Sequence, residues 1–117
     1  MNTQRIILDF CKNEFETIIL KQYDNDSAIN ISFTIVDSIY TKYSSYMCNV
    51  KMVTPMGKVS YKSEAILDDG TVSMVFNNDI LYKTGTGKLE LQIIDSVDNT
   101  VLFETIFTII IIGNVYL

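Results

Sequence analysis

The chain has 117 residues, which is near the common size of a single domain. Its formal net charge is −5 and its Lys and Arg residues are scattered singly, so it lacks the basic patch that binds nucleic acid or an anionic membrane surface. Apolar residues make up 48% and charged residues 20%, which excludes a disordered chain. Ile, Val, Thr, Tyr and Phe are abundant and Ala is rare, so we expect one all-β domain over residues 1–117.

Alternation of apolar and polar residues predicts strands along most of the chain. Strands are predicted over residues 4–10, 16–23, 28–37, 46–54, 58–66, 71–76, 87–95 and 101–112. Their inward sets are Ile29, Ile31, Phe33 and Ile35; Cys48, Val50 and Met52; Val72, Met74 and Phe76; and Leu89, Leu91 and Ile93. The residues between them, such as Asn49, Lys51, Glu90 and Gln92, are predicted to face outward.

Turn signals separate these strands. Pro55–Gly57 and Asp98–Asn99 each predict a reversal, and Asp68–Gly70 predicts a hairpin between the strands on either side of it. The segment 78–85 predicts a single helical turn across one end of the domain. Turns at such short intervals are typical of a β-sandwich or barrel, here with about seven to nine strands and at most one or two short helical turns.

The run from Ile106 to Ile112 is apolar except for Thr108. It is too short to be a membrane anchor, because a spanning helix needs roughly 20 residues. We predict a strand that lies in the middle of its sheet or supports a subunit interface. Its even face carries Ile106, Ile110 and Ile112, our candidate interface residues, and needs a cover. The N-terminal strand, the loop 40–46 or another subunit could supply it.

Catalysis is poorly supported by the residue types. The chain contains no His, so the usual general base and the usual partner of a Ser or Cys nucleophile are missing. Cys11 and Cys48 lack metal-ligand spacing, and we expect two reduced thiols, with a disulfide between them left open. The segments 24–27 and 83–88 match a calcium loop and a phosphate loop only in part, so we interpret both as turns. We expect no enzyme activity, cofactor or metal.

Three tyrosines, Tyr40, Tyr43 and Tyr46, lie within one short segment. Tyr is common at recognition surfaces because it buries a large area and keeps a polar tip. The segment is therefore either a binding loop or a loop whose rings pack against the sandwich. As a binding loop it could form the platform of a carbohydrate-binding module.

The order of these elements supports a resemblance. It is carried by "RIILDF", "LKQYDNDSAINISFTIVD", "CNVKMVTPMGKV", "ILDDGTVSMVF" and "TGTGKLELQIIDSVDNTVLFETIFTIII", from about Arg5 to Ile112. In this order the chain resembles the N-terminal domain of the baseplate upper protein of tailed bacteriophages of Gram-positive hosts. Two features depart from that family: the chain stops at Leu117, where family members continue into a helical or fibrous region, and Tyr40–Tyr46 replaces a short Gly-containing turn. The chain is then the docking domain in isolation or a small stand-alone relative.

The resemblance implies an immunoglobulin-like antiparallel β-sandwich. It also implies a structural role in the phage tail tip, where this domain docks on the baseplate core and the following region carries receptor-binding proteins or fibres. The implied partners are other baseplate or tail proteins, or further copies of the chain. The implied location is the virion, after synthesis in the host cytoplasm, and such proteins also occur in prophages.

Three functions follow from the sequence. A structural adaptor of a phage tail or baseplate predicts self-association or a protein partner. A carbohydrate-binding β-sandwich module predicts sugar binding by an isolated monomer. An enzyme accessory domain predicts that an enzyme loses activity when the module is removed. The first is our leading hypothesis.

Overall fold

The chain forms two β-sheets packed face to face. The computed structural model describes residues 2–9, 17–21, 28–36, 46–67, 69–77 and 83–113. Within these residues there are eight strands and no helix, which confirms the all-β sandwich. The strands are β1 (Asn2–Asp9), β2 (Ile18–Lys21), β3 (Ala28–Val36), β4 (Tyr46–Val53), β5 (Val59–Ala65), β6 (Thr71–Asn77), β7 (Gly85–Asp95) and β8 (Val101–Ile112).

One sheet has three strands in the order β1-β3-β6, and the other has five in the order β2-β8-β7-β4-β5. Most neighbours are antiparallel, but β1 runs parallel to β3 and β2 runs parallel to β8. The sequence predicted an antiparallel sandwich, and these two parallel pairs correct that expectation. Alternation reveals which face a residue occupies, but it carries no information on strand direction. The immunoglobulin-like subclass stays a prediction. The parallel β1–β3 pair differs from the two antiparallel sheets that define that fold.

The core lies between the sheets and contains every inward-facing set that the alternation predicted. Because successive side chains of a strand point to opposite faces, a period of two is enough to select these positions. The remaining core residues come from β1, β2, the β5–β6 connection and β8: Leu8, Ile18, Leu20, Ile66, Phe107, Ile109 and Ile111.

Two of the three predicted turns form hairpins. Between β4 and β5, the Gly57 amide donates to the Thr54 carbonyl at 2.8 Å, and Gly57 has a φ of 83°, which favours glycine. Between β7 and β8, the Asn99 amide donates to the Asp95 carbonyl at 2.8 Å. Residues 78–82 of the predicted helical turn lie outside the described residues, and its last residue, Gly85, is the first residue of β7.

The predicted hairpin at Asp68–Gly70 is wrong. β5 pairs with β4 in one sheet and β6 pairs with β3 in the other, so the chain crosses between sheets at this point. Ile66 enters the core just before the crossing, and the Gly70 carbonyl accepts a hydrogen bond from the Ile35 amide of β3 at 2.9 Å. A turn signal predicts the reversal of the chain, while the burial of Ile66 decides which sheet receives the next strand.

β8 lies inside its sheet, between β2 and β7, which is the first of the two alternatives that the sequence predicts for it. Its odd positions Phe107, Ile109 and Ile111 are buried in the core. Among the described residues, no helix is long and apolar enough to span a membrane.

Candidate binding surface on the outer face of the five-stranded sheet

The even positions of β8 lie on the outer face of the five-stranded sheet. Ile106, Ile110 and Ile112 have exposed fractions of 62%, 37% and 40%. β2 lies beside β8 rather than over it, and its Ile19, which is opposite Ile110, is itself 53% exposed. We call Ile19, Ile110 and Ile112 the isoleucine corner. The described residues leave this corner exposed, and its role as an interface stays a prediction.

Tyr46 does not join the candidate isoleucines. It starts β4, where it is half-buried and packs against the core, and its carbonyl accepts a hydrogen bond from the Ile66 amide at 3.2 Å. Tyr46 pairs with Asp95 at one end of β7 and Ile110 pairs with Thr86 at the other, so the two are about 30 Å apart along that strand. Tyr40 and Tyr43 lie outside the described residues.

A row of four side chains crosses the outer face at its centre. The strand register places Ile106 beside Glu90, Glu90 beside Lys51, and Lys51 beside Tyr61. The ammonium of Lys51 lies 3.8 Å from Glu90 Oε2 and 5.9 Å from the centre of the Tyr61 ring. Both charged side chains are about two-fifths exposed, so this ion pair contributes little to stability and mainly orients the two groups.

A second, fully polar row lies next to the first. It consists of Glu104, Gln92, Asn49 and Ser63, again one from each of four neighbouring strands. Gln92 Nε2 donates to Glu104 Oε1 at 2.8 Å, and Ser63 Oγ donates to Asn49 Oδ1 at 2.6 Å. The row is therefore tied together in two pairs, each spanning two strands.

These two rows line an open depression with a volume of about 930 Å³. Ligand sites commonly have volumes of roughly 300–1,000 Å³. The side chains of the two rows supply one aromatic ring, two amides, two carboxylates and one ammonium, and Lys62 of β5 also borders the depression. The depression can therefore offer a ligand hydrogen-bond donors and acceptors beside the flat apolar face of the Tyr61 ring.

Sequence reasoning missed this depression, although it placed Asn49, Lys51, Glu90 and Gln92 on the outward face. The outward positions were visible as the polar half of each alternation. Their neighbours were not, because the register between strands decides which outward residues meet. Tyr61 was not predicted to be a binding residue. The available signal was its position in a strand that follows the tight turn at Pro55–Gly57.

On the inner face, the thiol of Cys48 is buried and free. Burial raises the pKa of this thiol to about 12. Cys11 lies outside the described residues, so the state of the pair stays a prediction. Within the described part of the chain, no cluster of three or more Asp, Glu or Cys side chains could hold a metal ion.

The fold is similar to that of a solved structure over almost the whole length of both chains. The N-terminal domain of phage TP901-1 ORF48, a baseplate protein, superposes with a TM-score of 0.65. The match covers 95% of this chain and 98% of that one, at 19% sequence identity. This chain shares the fold of that baseplate domain. The resemblance noted in the sequence is thereby confirmed at the level of fold. No family model matches the chain, and no curated protein matches it significantly in sequence.

Proposed function

We propose that this protein is a non-catalytic structural module of a phage tail tip or baseplate. The observation that carries the proposal is the fold shared with the N-terminal domain of a phage baseplate protein, with nearly complete coverage of both chains. Its site of action is then the virion, after synthesis in the host cytoplasm, and its partners are other baseplate or tail proteins. Its task is to dock a receptor-binding protein or fibre onto the baseplate core.

The isoleucine corner is the docking surface that the geometry supports best. Full burial of an isoleucine side chain contributes roughly 1.5–3 kcal/mol relative to leaving it in water. Ile19 and Ile110 are neighbours in register, and Ile112 follows on the same face of β8, so one partner surface can cover all three. Such a contiguous apolar patch, bordered by polar residues, is typical of a protein interface.

Docking through this face is favoured over docking through the β5 edge of the same sheet. The edge strand β5 places Lys62 and Glu64 on the side facing the sandwich, opposite Val50 and Cys48 of β4. Charges that point inward from an edge strand oppose pairing with a further strand, because that pairing would extend the buried layer over them. The open apolar area lies instead at the other side of the sheet, over β2 and β8.

A reassembly assay tests the proposal. Tails would be prepared from a phage, or an induced prophage, whose gene for this chain is deleted, and the purified chain would be added back. We expect the wild-type chain to sediment with these tails. Ile110→Lys should lose at least tenfold in affinity, because a buried apolar contact is replaced by a charge.

The matched control is Ile7→Lys. Ile7 is also an exposed strand isoleucine, but it lies on the outer face of the three-stranded sheet. This variant should rebind like the wild type, and circular dichroism should show both variants folded. If the wild-type chain does not bind tails, the structural role is wrong. If both variants bind like the wild type, docking does not use the isoleucine corner, and self-association through it would be seen by sedimentation of the chain alone.

A further inference from the structure

The ring of Tyr61 is open to solvent at the rim of the depression. Its side chain is 71% exposed, although an aromatic ring of this size gains much from burial. Tyr61 lies on β5, which is the last strand of its sheet, so no described strand flanks it on the far side. The neighbouring Lys51 ammonium lies near the ring and helps to fix its position. The ring is thus an available apolar plate beside polar groups.

The hydrogen bonds within the polar row leave specific atoms for a ligand. Asn49 uses its Oδ1 to accept from Ser63, which leaves its Nδ2 as a donor. Gln92 uses its Nε2 to donate to Glu104, which leaves its Oε1 as an acceptor. These groups stand on neighbouring strands, about 5 Å apart. A hydroxyl group both donates and accepts, so a polyhydroxylated ligand matches this alternation, whereas a phosphate, which only accepts, does not.

The charges of the depression favour a neutral ligand. Lys51 and Glu90 neutralise each other at its centre, and Glu104 adds a further carboxylate at one side. An anionic ligand would approach two carboxylates, and a cationic ligand would approach the central ammonium.

We propose that this depression binds a neutral saccharide. Tyr61 stacks against the face of one sugar ring, and Asn49, Gln92 and Glu104 hydrogen-bond to hydroxyls of an adjoining ring. The site differs from the Tyr40–Tyr46 loop that the sequence suggested as a platform. It also lies apart from the isoleucine corner, since the row of Thr108 and Lys88 separates the two on the outer face.

An NMR titration of the isolated chain tests the site. The probes are soluble neutral tetrasaccharides of glucose, of galactose and of N-acetylglucosamine. We expect at least one to cause saturable shifts in the side-chain amides of Asn49 and Gln92 and in the Tyr61 ring, with a Kd of about 1 mM or tighter. The absence of saturable shifts with all three at roughly ten times that concentration would overturn the proposal. So would equal binding of an acidic tetrasaccharide of hexuronic acid.

Variants of β5 show whether the ring is responsible. Tyr61→Ala should weaken binding at least tenfold, and Tyr61→Phe should retain it within about threefold, because the ring is kept. Val59→Ala, on the same strand and face, is the matched control and should bind like the wild type. If Tyr61→Ala binds like the wild type, or if Val59→Ala loses as much, the stacking site is wrong. Ile110→Lys should leave saccharide binding unchanged, so failure of this proposal and failure of docking give different results.

Discussion

The rings of Phe33 and Phe107 pack against each other across the sandwich, with centroids 6.3 Å apart and planes inclined by 35°. Phe33 belongs to β3 of the three-stranded sheet, and Phe107 belongs to β8 of the five-stranded sheet. Both are almost fully buried. The contact therefore joins the two layers through the same strand that carries the open isoleucines on its other face.

Phe107→Ala should destabilise the fold by about 3–5 kcal/mol, because it removes a buried ring and leaves a cavity between the sheets. Ile106→Ala, one residue earlier on the exposed face, should cost less than about 1 kcal/mol. Urea unfolding followed by circular dichroism measures both. Equal losses in the two variants would mean that the two faces of β8 are assigned incorrectly.

Alternation along the chain was sufficient to predict the strands and most of the core. Ile29 to Ile35 and Leu89 to Ile93 alternate cleanly, because each lies in a strand with one face in the core and one in solvent. The isoleucine run of β8 was harder to interpret, since both faces are apolar. The sequence predicts that the face of Ile106 and Ile110 needs a cover, and both residues are exposed.

What alternation cannot predict is how the strands are arranged. The parallel β1–β3 and β2–β8 pairs and the crossing at Gly70 depend on contacts between residues far apart in sequence. The same is true of the depression, where Tyr61 meets Lys51 only through the register of β5 on β4. Polar outward positions are constrained weakly by burial, so their neighbours are not encoded in the local pattern.

Gly87→Ala should destabilise the protein strongly, by roughly 2 kcal/mol or more. A Cβ at this position would collide with the backbone carbonyl oxygen of Val53, and backbone cannot move aside as a side chain can. Gly113→Ala is the control, because a Cβ there meets nothing within 4 Å. Thermal unfolding should show a lower Tm for Gly87→Ala alone. A Tm for Gly87→Ala equal to that of the wild type would contradict the close approach of β7 to the end of β4.

The buried thiol of Cys48 should make stability fall in alkaline solution. Burial raises its pKa from 9.0 to about 12, so the folded state holds this proton more tightly than the unfolded chain. The contribution is complete below pH 9.0 and is lost as the pH rises from there toward 12. Between about pH 8 and pH 10.5, the urea midpoint of the wild type should therefore fall more than that of Cys48→Ala. Parallel changes in the two proteins would show that this thiol does not contribute.

Removal of the inward charges of β5 should promote self-association. The double variant Lys62→Val, Glu64→Val makes the inner side of the edge strand apolar, where the two charges of the wild type oppose pairing with a further strand. We expect dimers or larger species in sedimentation experiments at concentrations where the wild type shows none of them. Lys88→Val removes a charge from the interior strand β7 and should not associate in this way. Association of Lys88→Val to the same extent would point to general loss of solubility rather than to pairing at the edge.

The central claim is that this chain is a structural component of a phage tail tip or baseplate. Its most direct test is cryo-electron microscopy of purified tails from the phage or induced prophage that encodes it, with a gold label on the chain. The account predicts label at the tail tip, in a fixed number of copies on each particle, and loss of that density when the gene is deleted. Intact tails that carry no label, with unchanged tip density after deletion, would contradict it.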